Sequence, residues 1–328
     1  MAVNITSAYA GEVLEQLLVK ASTGNQFVSG GHIRVQPNVS KKFSIPRLRS
    51  GSMLQKRKED PVKTDSKGDF TIDEVYLEPQ DIMAFTVFNP RSFEQFWRPF
   101  QPQGNLVFHE LPSNVQNAML AEMAKVIDFE LGYQFINGVA GAGDDQFFNG
   151  ILTRIAASSD VVEVMKTVVV PGQNGDPDTT TQEQPDAITS ANILPALKSV
   201  KDAIPDYLRG NPNLKIFMSQ EDADIYDDVL TAQPYKGENY TDSNPERYKG
   251  ITIVPLAQWP KDVIVAAVAS TDLSSNFWAG VSLVDDADTI QIDKLSNPSE
   301  LYFFKMLMKA DTNIVFGEDI VIYDARII

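Results

Sequence analysis

Hydrophobic residues recur at helical spacing most clearly between residues 113 and 138. Ser113 or Asn114 is the expected N-cap, and glycines from Gly138 onward end the pattern. The apolar positions form two adjoining stripes: Val115, Met119, Val126, Phe129 and Tyr133, and beside them Leu120, Met123, Ile127, Leu131 and Phe135. A helix of this length would extend about 39 Å. We therefore predict a long rod whose wide apolar surface packs against a sheet.

Three further segments have helical spacing. Residues 7–21 predict an amphipathic helix with Ser7 as N-cap, which needs a surface to dock on; its apolar side comprises Val13, Leu14, Leu17, Leu18 and Ala21. Residues 190–209 predict a second helix that Pro205 kinks. Ser219 and Asp222 have the spacing of a capping box, so a third helix is expected to follow the strand 214–218.

Apolar runs between the helices predict strands. The runs ITIVPL, VIVAAVA and NFWAGVSL are typical of buried strands, and the alternation of strands with helices from 151 to about 270 indicates an α/β lobe with a mixed sheet. DIMAFTVF, residues 81–88, is expected to enter a sheet. The C-terminal run LYFFKMLMKA, a turn, NIVF and DIVIYDA predict antiparallel strands beside the long helix.

Residues 30–52 lack the material of a compact core. Short β-like pieces separated by Pro37 and Pro46 indicate an extended arm up to about residue 52. Residues 53–88 then predict a two-stranded ribbon, with a polar outgoing leg at 53–63, a turn at 65–69 and the return leg FTIDEVYL. Because such a hairpin is marginal alone in water, it needs a partner surface.

Charge is distributed unevenly along the chain. Residues 41–67 hold nine basic against three acidic residues, so this segment carries +6 and the remainder −22 of a total of −16. Opposite potentials steer association, so we interpret the segment as a contact with another copy of the acidic body. A merely solvated strand ranks second and a nucleic-acid contact third. The candidate inter-subunit contacts are Lys41, Lys42, Arg47, Arg49, Lys56, Arg57, Lys58, Lys63 and Lys67.

Composition narrows the function classes. The 328 residues are enough for two lobes, and no run of about 18 apolar residues predicts a membrane span. With no cysteine and only His32 and His109, we expect neither disulfides nor a metal site. The acidic total opposes tight binding to nucleic acid.

Candidate catalytic and ligand sites are weak. Asp144 and Asp145, and likewise Asp285, Asp286 and Asp288, lack the spacing of a calcium loop, and the nearby glycines match no phosphate-binding motif. Neither histidine lies near a marked nucleophile. The aromatic residues at 93–100 are more typical of a core or an interface than of a ligand cage. We therefore predict no catalytic residue, no cofactor and no enzyme activity.

The order of elements is the informative feature: an arm, a ribbon, a long helix, FNGILT at 148–153, an α/β lobe with KIFMSQEDADIYDDV and YKGITIVPL, and paired C-terminal strands. In this order the chain resembles the tailed-bacteriophage major capsid protein family of the Hong Kong 97 type. The resemblance covers nearly the whole chain and implies an α+β fold.

The resemblance also implies a division into parts. Residues 1–50 would be the N-terminal arm and 51–80 the extended loop called the E-loop. Residues 81–150 and 281–328 would form the peripheral domain with the spine helix at 113–138. Residues 151–280 would form the axial domain.

The implied function is a shell. Copies would assemble as hexamers and pentamers into an icosahedral phage head around double-stranded DNA, which they contact loosely and without sequence readout. A separate scaffolding protein and a portal are expected partners, with assembly in the host cytoplasm and a final place in the virion. The alternatives are a tail tube or decoration protein, and an α/β hydrolase or ligand-binding protein.

Overall fold

A computed structural model describes residues 25–39, 41–89, 113–164, 168–170, 179–181, 185–232, 247–283, 290–296 and 301–326. The helices are α1 (Gln26–Ser29), α2 (Ser113–Asn137), α3 (Ile151–Ala157), α4 (Ile193–Ala203) and α5 (Gln220–Thr231). Short 3₁₀ turns lie at Lys63–Asp65, Asp206–Leu208 and Gly317–Asp319.

The strands in chain order are β1 (Arg34–Gln36), β2 (Phe43–Ser50), β3 (Phe70–Leu77), β4 (Gln80–Phe88), β5 (Val162–Glu163), β6 (Val168–Val170), β7 (Thr179–Thr181), β8 (Leu214–Ser219), β9 (Arg247–Tyr248), β10 (Ile251–Leu256), β11 (Val263–Val268), β12 (Phe277–Leu283), β13 (Ile290–Lys294), β14 (Tyr302–Ile314) and β15 (Val321–Asp324). With helices and sheets in one chain, the predicted α+β class is confirmed.

A six-stranded mixed sheet has the order β5-β15-β11-β8-β10-β9. Strand β11 is buried at every position, because both of its faces are covered. Its alternate residues serve two cores: Val263 and Val265 face the core that includes α2, whereas Ile264 and Ala266 face the core formed with α4 and α5. This is the predicted α/β lobe.

A five-stranded sheet is built around β14. Strand β4 pairs with residues 302–310 of β14, while β13 pairs with 302–306 and β12 with 308–314. Since the overlapping partners must use opposite edges, β4 lies on one side of β14 and both β12 and β13 on the other. Strand β1 adds in parallel to the free side of β12.

Helix α2 has the predicted limits and packs on this core. Leu131 and Phe135 are buried, and Met123 and Ile127 pack beside them, so the second of the two predicted stripes faces inward. The side chains at 113–122 and 124 lie outside the described residues, as do the segments 7–21 and 93–100 and residue His109.

Several boundaries differ from the sequence predictions. Helix α4 ends at Ala203 rather than Arg209, because Ile204 precedes Pro205 and takes an extended conformation, with ψ of 128°. No turn interrupts β14, where Asp311 and Thr312 are buried within the strand. Ser219 does cap α5: its Oγ accepts the Asp222 N–H at 3.0 Å.

Strand β15 lies in a different place from the one predicted. It pairs with β11 and β5 in the six-stranded sheet and not with β14, so the predicted pairing of DIVIYDA with the C-terminal strand before it is wrong. Strand β12 joins the five-stranded sheet. The chain thus passes from one sheet to the other at 269–276 and returns at 315–320.

Candidate inter-subunit surface

The surface centres on a ribbon, residues 43–77, in which β2 and β3 pair antiparallel over eight residue pairs from Phe43↔Leu77 to Ser50↔Phe70. The outgoing leg is therefore 43–50, not 53–63 as predicted, and Pro46 lies inside it. A proline is tolerated here because each strand of a two-stranded ribbon has one unpaired edge. Residues 51–69, the tip loop, join the two legs and are exposed except for the half-buried Asp65 and Gly68.

The ribbon is rooted in the body of its own chain. Leu77 is fully buried in a small core with Ile45, Trp278 and Val315. Asn313 donates its Nδ2–H to the carbonyl of Tyr76 at 2.8 Å. These contacts fix the root of β3 against β12 and β14.

Asp311 is the polar centre of this root. Asp311 is 1% exposed. Its carboxylate accepts the Glu78 N–H at 2.8 Å and the Arg154 Nη2–H at 3.1 Å. Burial raises the pKa of Asp311, while these two donors oppose that shift. A carboxylate from β14 thereby joins the end of the ribbon to α3.

Three of the candidate basic residues, in β2 or just before it, contact β3 or the residues beyond the ribbon. Arg47 pairs with Asp73 across the ribbon and donates to the carbonyl of Val315. Arg49 pairs with Glu318 at 3.1 Å. Lys42 pairs with Glu78 at 2.8 Å, and its Nζ lies 3.7 Å from the centre of the Tyr76 ring.

These contacts shift the pKa of the acidic partners. The Arg47 guanidinium lowers the pKa of Asp73, and the Lys42 ammonium lowers that of Glu78. The hydrogen bond to Glu78 in turn raises the pKa of Lys42. Arg47, which donates to the carbonyl of Val315, and Arg49, which pairs with Glu318, hold β2 against the body.

The remaining basic residues divide into two groups. In the tip loop, Lys58 pairs with Asp65, whose pKa it lowers, and Lys67 donates to the carbonyl of Leu54 at 3.1 Å. The other four have exposed side chains that form no hydrogen bond or ion pair with the described residues: Lys41, Lys56, Arg57 and Lys63. Of the nine candidates, these four can therefore contact a partner without breaking a side-chain contact among the described residues.

The two faces of the ribbon differ because side chains alternate along each strand. Ile45, Arg47 and Arg49 lie on the face that contacts the body. Leu48, Phe70 and Ile72 share the opposite face, as the pairs Leu48↔Ile72 and Ser50↔Phe70 show, and Ile72 is 72% exposed. Leu54 in the tip loop is 89% exposed. The outer face of the ribbon is thus apolar and uncovered.

Two other apolar faces are exposed. Met83, Phe85 and Val87 alternate along β4 and share one face of the five-stranded sheet with Phe303, whose ring lies 6.0 Å from that of Phe85. On α2, Val126, Phe129 and Tyr133 are exposed. These last three belong to the stripe that we expected to pack against a sheet, so for them that expectation is wrong.

The described residues contain no cluster of three or more His, Asp or Glu side chains that could hold a metal ion. His32 packs on Phe217 and contacts Lys215 through Nδ1 at 2.9 Å, and burial lowers its pKa to about 4. The described helices include none that is both long and apolar enough to cross a membrane.

Solved capsids provide the structural matches. A chain in the satellite phage P4 procapsid that includes the size determination (Sid) protein matches with a TM-score of 0.64 and 14% identity, covering 99% of this chain and 96% of that chain. A chain in the capsid of an empty GTA particle matches with a TM-score of 0.54 and 11% identity, covering 90% and 95%. This chain has the fold of those capsid proteins.

A chain in the capsid of the Myoviridae phage XM1 also matches, with a TM-score of 0.50 and 10% identity, covering 90% of each chain. No protein-family profile matches the chain. No curated protein sequence matches it either. The likeness therefore lies in the fold, and the resemblance found in the order of elements is confirmed at that level.

Proposed function

We propose that this chain is the major capsid protein of a phage-like particle, a subunit that assembles with copies of itself into a closed shell. The observation that carries the proposal is the ribbon. Its root is fixed to its own body, whereas its outer face and tip loop present apolar side chains and cations that the described residues leave uncovered. Together with the capsid fold, this geometry favours contacts between copies.

The tip loop exposes cations, and the rest of the chain is acidic. Lys56, Arg57 and Lys63 are exposed in a loop whose net charge is +1, while the chain outside residues 51–69 carries −17. Each surface ion pair contributes only about 0–1 kcal/mol, so several must act together with apolar burial. Leu54, Phe70 and Ile72 supply that apolar area on the same element.

The finer assignments are part of this proposal. The five-stranded sheet with α2 would be the peripheral domain, the six-stranded sheet with α4 and α5 the axial domain, and residues 43–77 the E-loop. The shell would consist of hexamers and pentamers around double-stranded DNA, in the virion, with a scaffolding protein and a portal as partners in the host cytoplasm. The proposed function needs no catalytic group.

The decisive experiment removes the tip loop and keeps the ribbon. Gly51 already donates its N–H to the carbonyl of Asp69 at 3.3 Å, so residues 52–68 can be replaced by Asn-Gly, which closes a two-residue hairpin. The free energy of unfolding should change by less than about 1 kcal/mol, because the deleted residues bury little. Electron microscopy should show that the shortened chain forms no closed shells.

A matched control separates loop length from loop chemistry. It keeps the length of 52–68 and replaces every residue by glycine or serine; this variant should also fold and fail to assemble. Shells of normal size from the Asn-Gly variant would contradict the proposal. Tubes or small rings from the unaltered chain would favour a tail or decoration protein, and a stable monomer with a bound small molecule would favour the hydrolase alternative.

A further inference from the structure

The exposed stripe of α2 is the starting point. Val126, Phe129 and Tyr133 follow the spacing i, i+3 and i+7, which places them on one side of the helix, and Phe129 is 61% exposed. A neighbouring stripe that includes the fully buried Phe135 already attaches α2 to the core. Large aromatic side chains grouped on one exposed face indicate a docking surface.

The chain enters the described structure right beside this stripe. Asn25, its first described residue, lies against Gly132, where a Cβ would come within 2.7 Å of the Asn25 Cβ. Asn25 also donates its backbone N–H to Asp128. At 100° per residue, Gly132 and Asp128 border the exposed arc that carries Phe129 and Tyr133.

The position of the chain at this point is fixed on both sides. Gln26 accepts the Ala257 N–H through Oε1 at 3.0 Å, and Gln258 donates its Nε2–H to the carbonyl of Phe129 at 2.8 Å. Residues 25 and 26 are thus held between α2 and the loop after β10. The preceding residues start from a fixed point within one helical turn of the stripe.

The length and pattern of the preceding segment match the stripe. Residues 7–21 have apolar side chains at Leu14, Leu17, Leu18 and Ala21, the spacing of one helix face. As a helix these residues would extend about 22 Å, and the three residues 22–24 would reach about 10 Å further. The stripe from Val126 to Tyr133 is about 10 Å long, so the segment can cover it entirely.

We propose that residues 7–21 form a helix that packs its apolar side on Val126, Phe129 and Tyr133 of the same chain. The segment then covers the apolar stripe in the free subunit, and α1 is the anchor that holds it there. This inference concerns the isolated chain. Its test does not depend on whether the chain forms shells.

The absence of cysteine from the chain allows a direct test by disulfide trapping. Leu17→Cys and Phe129→Cys are introduced together, and the matched control is Gln16→Cys with Phe129→Cys, because Gln16 lies on the opposite side of the predicted helix. Under mild oxidation the Leu17 pair should form an intrachain disulfide at least about tenfold faster than the Gln16 pair. Leu18→Cys replaces Leu17→Cys in a second pair to allow for a different rotation of the helix.

Two results would overturn the proposal. Equal rates for all pairs would show that residues 7–21 do not dock on the stripe through their apolar side. Disulfide-linked dimers in place of intrachain bonds would show that a second copy occupies the stripe.

An alkylation experiment provides a second measurement that needs no disulfide. The rate at which a maleimide modifies Tyr133→Cys should rise at least about tenfold when residues 2–22 are deleted, because the stripe becomes accessible. Leu273→Cys, at a position that is 75% exposed between β11 and β12, should react at the same rate in both chains. An unchanged rate at Tyr133→Cys would contradict the proposal.

Discussion

Asp128 lies on α2 where the first described residues cross the helix. One of its carboxylate oxygens, Oδ1, is buried and has no hydrogen-bond partner among the described residues, while the side chain also accepts the Asn25 N–H. Burial raises its pKa from 3.8 to about 6. Because the folded state binds the proton more tightly than the unfolded state does, the stability of the fold falls as the pH rises from 3.8 to about 6, and the loss is complete above pH 6.

Asp128→Asn should therefore stabilise the protein in a pH-dependent way. At pH 8 the free energy of unfolding should rise by about 1–2 kcal/mol, a value reduced for the partial exposure of the group. Near pH 3 the difference from the unaltered chain should vanish, since Asp128 is then protonated in both the folded and the unfolded states. Urea unfolding measures both values, and the same difference at both pH values would contradict this account.

His32 changes stability in the opposite direction over an overlapping pH range. Its folded pKa of about 4 lies below the ordinary value of 6.5, chiefly because of burial and secondarily because of Lys215. The stability associated with neutral His32 is complete above pH 6.5 and is lost as the pH falls towards 4. The Asp128 effect must therefore be measured as a difference between two chains at each pH. Asp206→Asn, at a highly exposed side chain, serves as the control.

At the scale of elements, one buried carboxylate contributes to the attachment of the ribbon. Asp311 on β14 binds both the backbone of Glu78 and the guanidinium of Arg154. Removing it leaves the Glu78 N–H without its acceptor and the Arg154 charge without its partner. Such losses are costly in a site from which water is excluded.

Asp311→Ala should lower the free energy of unfolding by about 2–4 kcal/mol. The matched control is Asp206→Ala, which removes an exposed ion pair with Arg209 and should cost less than about 1 kcal/mol. Urea unfolding followed by circular dichroism gives both values. Equal losses for the two variants would mean that Asp311 does not anchor the ribbon.

Elements with a strong local pattern could be predicted from the sequence, and strand pairing could not. The limits of α2 follow from its apolar spacing and from Gly138 after its last residue, and β8, β10 and β11 follow from their buried runs. The outgoing leg of the ribbon was placed ten residues too late, because Pro46 and the alternating charges in 43–50 are typical of an extended arm as well as of a paired strand. The sheet that β15 joins depends on a partner more than fifty residues away, which no local pattern specifies.

The candidate site was predictable to a similar extent. The excess of positive charge marks residues 41–67, but it does not separate Arg47 and Arg49, which contact their own chain, from Lys56 and Arg57, whose side chains are exposed. That distinction depends on where the paired strand ends and the tip loop begins. The register of β2 with β3 gives this boundary at Ser50, and the local sequence does not.

At the scale of the whole molecule, the free cations of the tip loop should control assembly through charge. Lys56→Glu with Arg57→Glu should leave the free energy of unfolding unchanged, because both side chains are exposed. Shell formation at low salt should fall sharply, since the tip would then repel the acidic body of another copy. Above about 0.5 M salt, where screening shortens the range of the interaction, the variant and the unaltered chain should differ less.

Sedimentation and electron microscopy at two salt concentrations test this prediction. Lys198→Glu with Lys201→Glu on α4 makes the same change in net charge elsewhere and should assemble better than the tip variant. Identical assembly of the two variants at low salt would show that total charge, rather than its position on the ribbon, is what matters.

The two legs of the ribbon lead to opposite sides of one sheet. Upstream of β2 the chain continues to β1, which flanks β12, whereas β3 continues after only two residues into β4, which flanks the far side of β14. A force applied to the tip loop is therefore transmitted to both edges of the sheet, through β1 on one side and β4 on the other. A force applied to the ribbon by another molecule would therefore be transmitted across the full width of the sheet.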